Sequence, residues 1–142
     1  MSFDMLGQLN WLAVVVAGAA YFALGALWFA PQVLGGIWQR SIGWDPNQSP
    51  PRPSARSYGP AAIAYLVAAV ATAMLAAATG ADDVSGAITL GLVVGIGYAL
   101  TLTAVTAGFA PNLPQPWTWF AVSGGYHLVG LVITSLIVTL WR

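Results

Sequence analysis

Residues able to do chemistry are few in this chain, and one stands apart. His127 is the single histidine. Ser123 precedes it by one helical turn, and Gly124, Gly125 and Tyr126 adjoin it. An imidazole in an apolar segment is costly unless something hydrogen-bonds it. Ser123, Tyr98, Tyr65, a backbone carbonyl or a water can each fill that role. With a partner in place, His127 is chemically suited to bind a ligand, shuttle a proton or ligate haem iron. A haem held by two histidines needs a second subunit here, because each chain offers one. An interior hydrogen bond that only fixes helix packing ranks somewhat ahead of all three. The candidate ligand or pathway set is therefore His127, Tyr126, Tyr98 and Ser123, with Thr101 on the same route.

The remaining inventory excludes much. There is no cysteine, so disulfides, thiolate metal sites and cysteine nucleophiles are ruled out. One histidine cannot build a multi-histidine zinc site within one subunit. The acidic residues Asp4, Asp45, Asp82 and Asp83 fall in expected loops or at helix ends. No carboxylate pair is available for acid–base catalysis, and none sits in mid-membrane to couple transport to protons or sodium. The formal net charge is zero, which argues against nucleic acid as a partner. No cofactor and no metal is expected, and an enzymatic role ranks last.

What positions these residues is a set of long apolar segments. The chain is 58% hydrophobic and 6% charged, against about a quarter charged in ordinary soluble domains. Eight charged side chains, four of each sign, cannot clothe a water-soluble fold of this size. Apolar runs extend over about 9–29, 60–79, 84–109 and 119–141. Each reaches the roughly 20 residues an α-helix needs to cross a bilayer core. Short segments of alternating polarity, the mark of a membrane β-barrel, do not occur. The expectation is an all-α integral membrane four-helix bundle, with residues 1–142 forming a single transmembrane domain. Ala17-Gly18-Ala19 has the small residues of a signal-peptide cleavage site. The start carries Asp4 without a basic residue, however, and the apolar run continues to Phe29, so an uncleaved anchor is expected.

Turn chemistry separates the segments. Pro31 and Gly35-Gly36 end the first helix, and the proline-rich stretch 45–53 reads as an extended loop. Gly80 to Asp83 forms a short turn, and Pro111, Pro114 and Pro116 part the last two helices. Within the long loop 30–59, Val33–Ile42 fits a short amphipathic interfacial helix and an irregular loop equally well. Arg40, Arg52 and Arg56 lie in that loop, whereas the second carries Asp82 and Asp83. The positive-inside rule then puts the first loop in the cytoplasm and both termini outside, in a cell inner (plasma) membrane. Arg142 is a single contrary charge. Trp11 and Trp28 bracket the first helix and Trp119 and Trp141 the fourth, as headgroup anchors do.

Helix association in lipid depends on close backbone approach and polar contacts. Gly91 and Gly95 give the third helix a GxxxG face, and the second helix is rich in alanine. Packing inside one subunit explains such a motif more simply than packing between subunits, yet four thin helices enclose little, so a homo-oligomer is expected. The pairing of Phe29-Ala30-Pro31 with Phe109-Ala110-Pro111 suggests a repeated hairpin, but coincidence explains three residues better.

The stretch Leu24 to Trp38 resembles the signature of a bacterial membrane family known as domain of unknown function 1761. Gly25, Trp28, Phe29, Pro31, Gly35 and Trp38 stand at the family's places. Phe29, Ala30 and Gly36 replace a common tyrosine, serine and lysine. The closing Gly125-Tyr126-His127-Leu128-Val129 and Trp141 also look like its last helix. The resemblance implies a four-helix membrane protein and brings no activity or catalytic residues. On physical grounds Trp28 and Trp38 flank a Pro–Gly turn that pins the chain's re-entry. The sharper reading has Trp28, Phe29 and Trp38 line the mouth of a pocket for a lipid or small apolar ligand. The leading function class is a structural or accessory protein that forms homo-oligomers or joins a larger membrane complex. The alternative is a small oligomeric transporter or channel for a small solute or apolar ligand.

Overall fold

The computed structural model describes residues 2–45, 47–48 and 54–141. Arg52, Arg142 and most of the proline-rich stretch lie outside them. After a short 3-10 turn at Phe3–Gln8, α1 runs over Trp11–Trp28, α2 over Gly36–Ser41 and α3 over Ala55–Thr79. The third span combines α4 (Val84–Val94), a π turn (Gly95–Leu100) and α5 (Thr101–Phe109), and α6 (Pro116–Leu140) closes the chain. The chain is all-helical, with no strand among the described residues, and four helices are long and apolar enough to cross a membrane.

Local chemistry sets most boundaries. The Asn10 side chain accepts from the backbone N–H groups of Leu12 and Ala13, and Asp83 accepts from Gly86 at 2.7 Å. These satisfy donors that a helix start leaves orphaned. Gly80 ends α3 at φ +69, in the left-handed region where glycine has no steric cost. Two starts fall earlier than the apolar runs suggest. Helix α6 begins at Pro116 because proline at the first helical position loses no needed N–H. Helix α3 begins at Ala55 and carries Pro60 inside it, where the lost bond falls near the first turn. The segment after α1 is helical: a π turn at Pro31–Gly35 runs directly into α2.

The π turn in the third span resolves a mismatch of period. Ala87, Gly91, Gly95, Thr103 and Ala107 are buried, with Ala99 half-buried between them. A spacing of four drifts by about 40° per step on a regular helix of 3.6 residues per turn. The wide turn at Gly95–Leu100 absorbs that drift and keeps one face on α6.

Helix α6 is the central element. It is 50% buried, against 17% for the third span, and it packs on α1, α3, α4 and α5. Its start and α2 lie together at the first-loop end, joined by a bond from the Gln115 N–H to the Ser41 carbonyl. The opposite end holds Asn10, whose amide donates to the Trp141 carbonyl. The two ends are packed differently. Towards Asn10 the core is small and tight, built on Ala17, Ala69, Ala73, Ala76, Val14 and Val138. Towards the first loop it is aromatic, built on Tyr21, Tyr126 and Leu131 with Trp28, Phe29 and Tyr65 against them. Gly91 and Gly95 lie against α6, where an added Cβ on Gly91 would stand 2.7 Å from the Val132 Cα. The two Phe-Ala-Pro sequences differ in setting: Phe29 packs inward and Phe109 is 85% exposed.

Candidate functional site

At the aromatic end, α6 presents Ser123, Tyr126 and His127 on neighbouring faces. The His127 Nδ1 lies 2.8 Å from the phenol of Tyr21 on α1. A second, longer contact runs from that phenol to the His127 carbonyl at 3.4 Å. A phenol has one proton to donate, and where Tyr21 gives it to Nδ1 the imidazole carries its own proton on Nε2. No hydrogen bond reaches Nε2 among the described residues. Tyr21 thus holds the ring through one nitrogen and leaves the other available.

Tyr21 is itself fixed. Its ring stacks on Tyr65 of α3, with centroids 4.4 Å apart. Gly130 supplies the space on the other side, since a Cβ there would overlap the Tyr21 ring. The Tyr126 phenol donates to the Tyr21 carbonyl at 3.0 Å. Gly25 makes room for it, because a Cβ at that position would stand 3.1 Å from the phenol oxygen. Three tyrosines from three helices, Tyr21 and Tyr126 buried and Tyr65 half-buried, therefore pack as one unit beside His127.

The tryptophan motif frames this unit. The Trp28 indole N–H donates to the Val122 carbonyl at 3.0 Å, tying the end of α1 to α6. Phe29 meets Trp38 edge-on at 5.5 Å and Tyr126 at 5.2 Å. Gly35 closes the turn between them, since a Cβ there would collide with the Phe29 carbonyl. Each motif position has a physical reason, whether room for a phenol, a tie to α6, an aromatic contact or a tight turn.

A cleft of about 360 Å³ opens beside the unit. Ser123, Tyr126, His127 and Trp119 of α6 form its floor, and Tyr65 of α3 faces Leu102, Thr103 and Thr106 of α5 across it. Phe29 and Trp38 close its upper end. Leu102, 66% exposed, lies on its rim. A second cleft of about 490 Å³ between α1 and α3 shares Phe29, Tyr65 and Tyr126 with it. His127 lies about 16 Å below the start of α6, taking about 1.5 Å per residue. The cleft therefore descends from the expected headgroup layer towards the middle of the span.

His127, Tyr126 and Ser123 come together at this cleft. Tyr98 does not: it is 66% exposed on the outer face of the π turn. Thr101 is also exposed and bonds to its own helix at the Gly97 carbonyl. Tyr21 is the partner of His127 that the sequence did not reveal. It is 106 positions away, and no spacing rule links the two. Gly130 carries the indirect signal, as a glycine mid-helix that makes sense only if a large ring lies against it.

Among the described residues, no cluster of three metal-ligating side chains is present. No curated protein and no solved structure matches the chain. One family does, over residues 12–139, and that match takes in the tryptophan turn, the tyrosine unit and the cleft alike. The chain belongs to the family described as "Protein of unknown function (DUF1761)".

Proposed function

We propose that the protein binds a small, largely apolar molecule that reaches it through the bilayer and enters the cleft between α3 and α5. The observation that carries this reading is the cleft itself. It is lined by aromatic side chains, has the exposed Leu102 on its rim, and includes hydrogen-bonding groups of α6. Sites for small ligands are concave and mainly apolar, with a few placed polar groups. Neither Thr103 nor Thr106 offers its hydroxyl proton, since each bonds to its own helix, at the Ala99 and Leu102 carbonyls. The Ser123 hydroxyl and His127 Nε2 have no such bond among the described residues.

A second reading, a subunit or accessory protein of a membrane assembly, is favoured by Tyr98. Its phenol is 66% exposed near the middle of the third span and has no hydrogen-bond partner among the described residues. A neighbouring protein, either a second copy or a foreign subunit, would supply one where lipid tails cannot.

Native mass spectrometry of the protein released gently from its membrane separates these readings. The ligand reading predicts one small molecule of defined mass retained by the wild type and lost in Leu102→Trp, which narrows the opening without touching the buried unit. Retention of the same lipids by both forms would refute it. A stoichiometric second protein favours the assembly reading.

A further inference from the structure

The chemistry of the cleft restricts its ligand further, and the restriction rests on the ligand-binding reading above. Among the described residues, the lining includes no lysine, arginine or acidic residue. A carboxylate or phosphate head would enter without a counter-charge, which a low-dielectric site penalises heavily. A neutral head avoids that cost. Five rings contribute to the lining, those of Phe29, Trp38, Tyr65, Trp119 and Tyr126. Offset or edge-on contact with several rings favours a flat π system over a branched or saturated one. At the floor, Ser123 and His127 are one helical turn apart and face the same space. Where Tyr21 donates to Nδ1 and not to the His127 carbonyl, Nε2–H is a donor directed by a bond behind it, and the Ser123 hydroxyl is a second donor beside it.

We infer that the cleft takes a neutral, flat ring bearing a carbonyl or hydroxyl oxygen on an apolar tail, the chemistry of a prenylated quinone. The ring lies among Phe29, Tyr65 and Tyr126, its oxygen accepts from His127 Nε2–H or Ser123, and the tail leaves past Leu102 into the acyl layer. Tyr21 is a positioning residue: it sets which imidazole nitrogen faces the ligand and does not touch the ligand itself.

The test uses purified protein in nanodiscs of a single synthetic phosphatidylcholine. Three probes of matched tail are offered separately: a decyl-tailed benzoquinone, a decyl-tailed fatty acid and the corresponding fatty alcohol. Binding is read as ligand adducts in native mass spectra. The quinone is read also by saturable quenching of tryptophan emission and by its carbonyl stretch in infrared difference spectra. The expected result is a saturable quinone adduct, little adduct with the other probes, and a downshifted carbonyl band. In Ser123→Ala and His127→Gln the carbonyl band changes and affinity falls about three- to tenfold, the cost of one lost hydrogen bond. Tyr21→Phe changes the band while leaving the ring contacts in place. Tighter binding of the fatty acid or alcohol than of the quinone overturns this inference and leaves the ligand-binding reading standing. Absence of any saturable adduct removes both. An unchanged carbonyl band in all three variants, with quinone still bound, overturns the assignment of the donors.

Discussion

At the scale of single residues, several polar side chains bond across to another helix, and some buried ones make no bond. Tyr21, Tyr126, Trp28 and Ser135 all reach across to another helix, the last donating to the Ala87 carbonyl at 2.7 Å. Such bonds between helices specify register in a medium that offers little hydrophobic drive. The hydroxyls of Thr134 and Thr139 are fully buried and have no partner among the described residues. A buried hydroxyl that makes no bond costs free energy, and valine fills nearly the same volume without that cost. Thr134→Val is therefore expected to raise thermal stability, by about 1 kcal/mol. Thermal unfolding of the detergent-solubilised protein checks this, and a clear loss of stability would mean that Thr134 has a partner such as a bound water.

At the scale of elements, glycines tell which helix faces are committed. Gly91 sits against Val132 with no room for a methyl group, whereas Gly97 has nothing near the place its Cβ would occupy. Gly91→Ala should push α4 off α6 and cost about 1–3 kcal/mol, the usual range for overpacking. Gly97→Ala should be neutral or slightly stabilising, because it removes backbone freedom from the unfolded chain. Thermal shifts of equal size and sign would contradict this division of the third span. The four spans were legible in the sequence because lipid demands about 20 apolar residues in a row. The helix at 31–41 was ambiguous because it is short and led by a proline. The π turn gave no local signal. It shows only in burial every fourth residue, a pattern invisible until the partner helix is known. The tryptophan turn and His127 could be singled out from residue type alone. Their joining through Tyr21 could not, since it rests on how α1 lies against α6.

At the scale of the whole molecule, the two ends are unlike: alanine packing gives close approach at one, and bulky rings leave clefts at the other. The aromatic end carries the first loop, with Arg40 and Arg56. By the positive-inside rule that end is expected to face the cytoplasm, so a cysteine at the exposed Gln48 should resist an impermeant thiol reagent on intact cells and react after lysis. Labelling of intact cells would invert the topology and place the mouth of the cleft on the outer side. In either orientation the exposed Leu102 sets the rim of the cleft on the lipid-facing side of the third span. Entry of the ligand from the bilayer is tested most directly by placing a photoreactive amino acid at Leu102, on the rim of the cleft, and in a separate protein at the exposed Ile96 of the same span. Irradiation in the native membrane should capture a single enriched small molecule from position 102 and the bulk phospholipid mixture from position 96. The same phospholipid mixture at both positions would contradict the account.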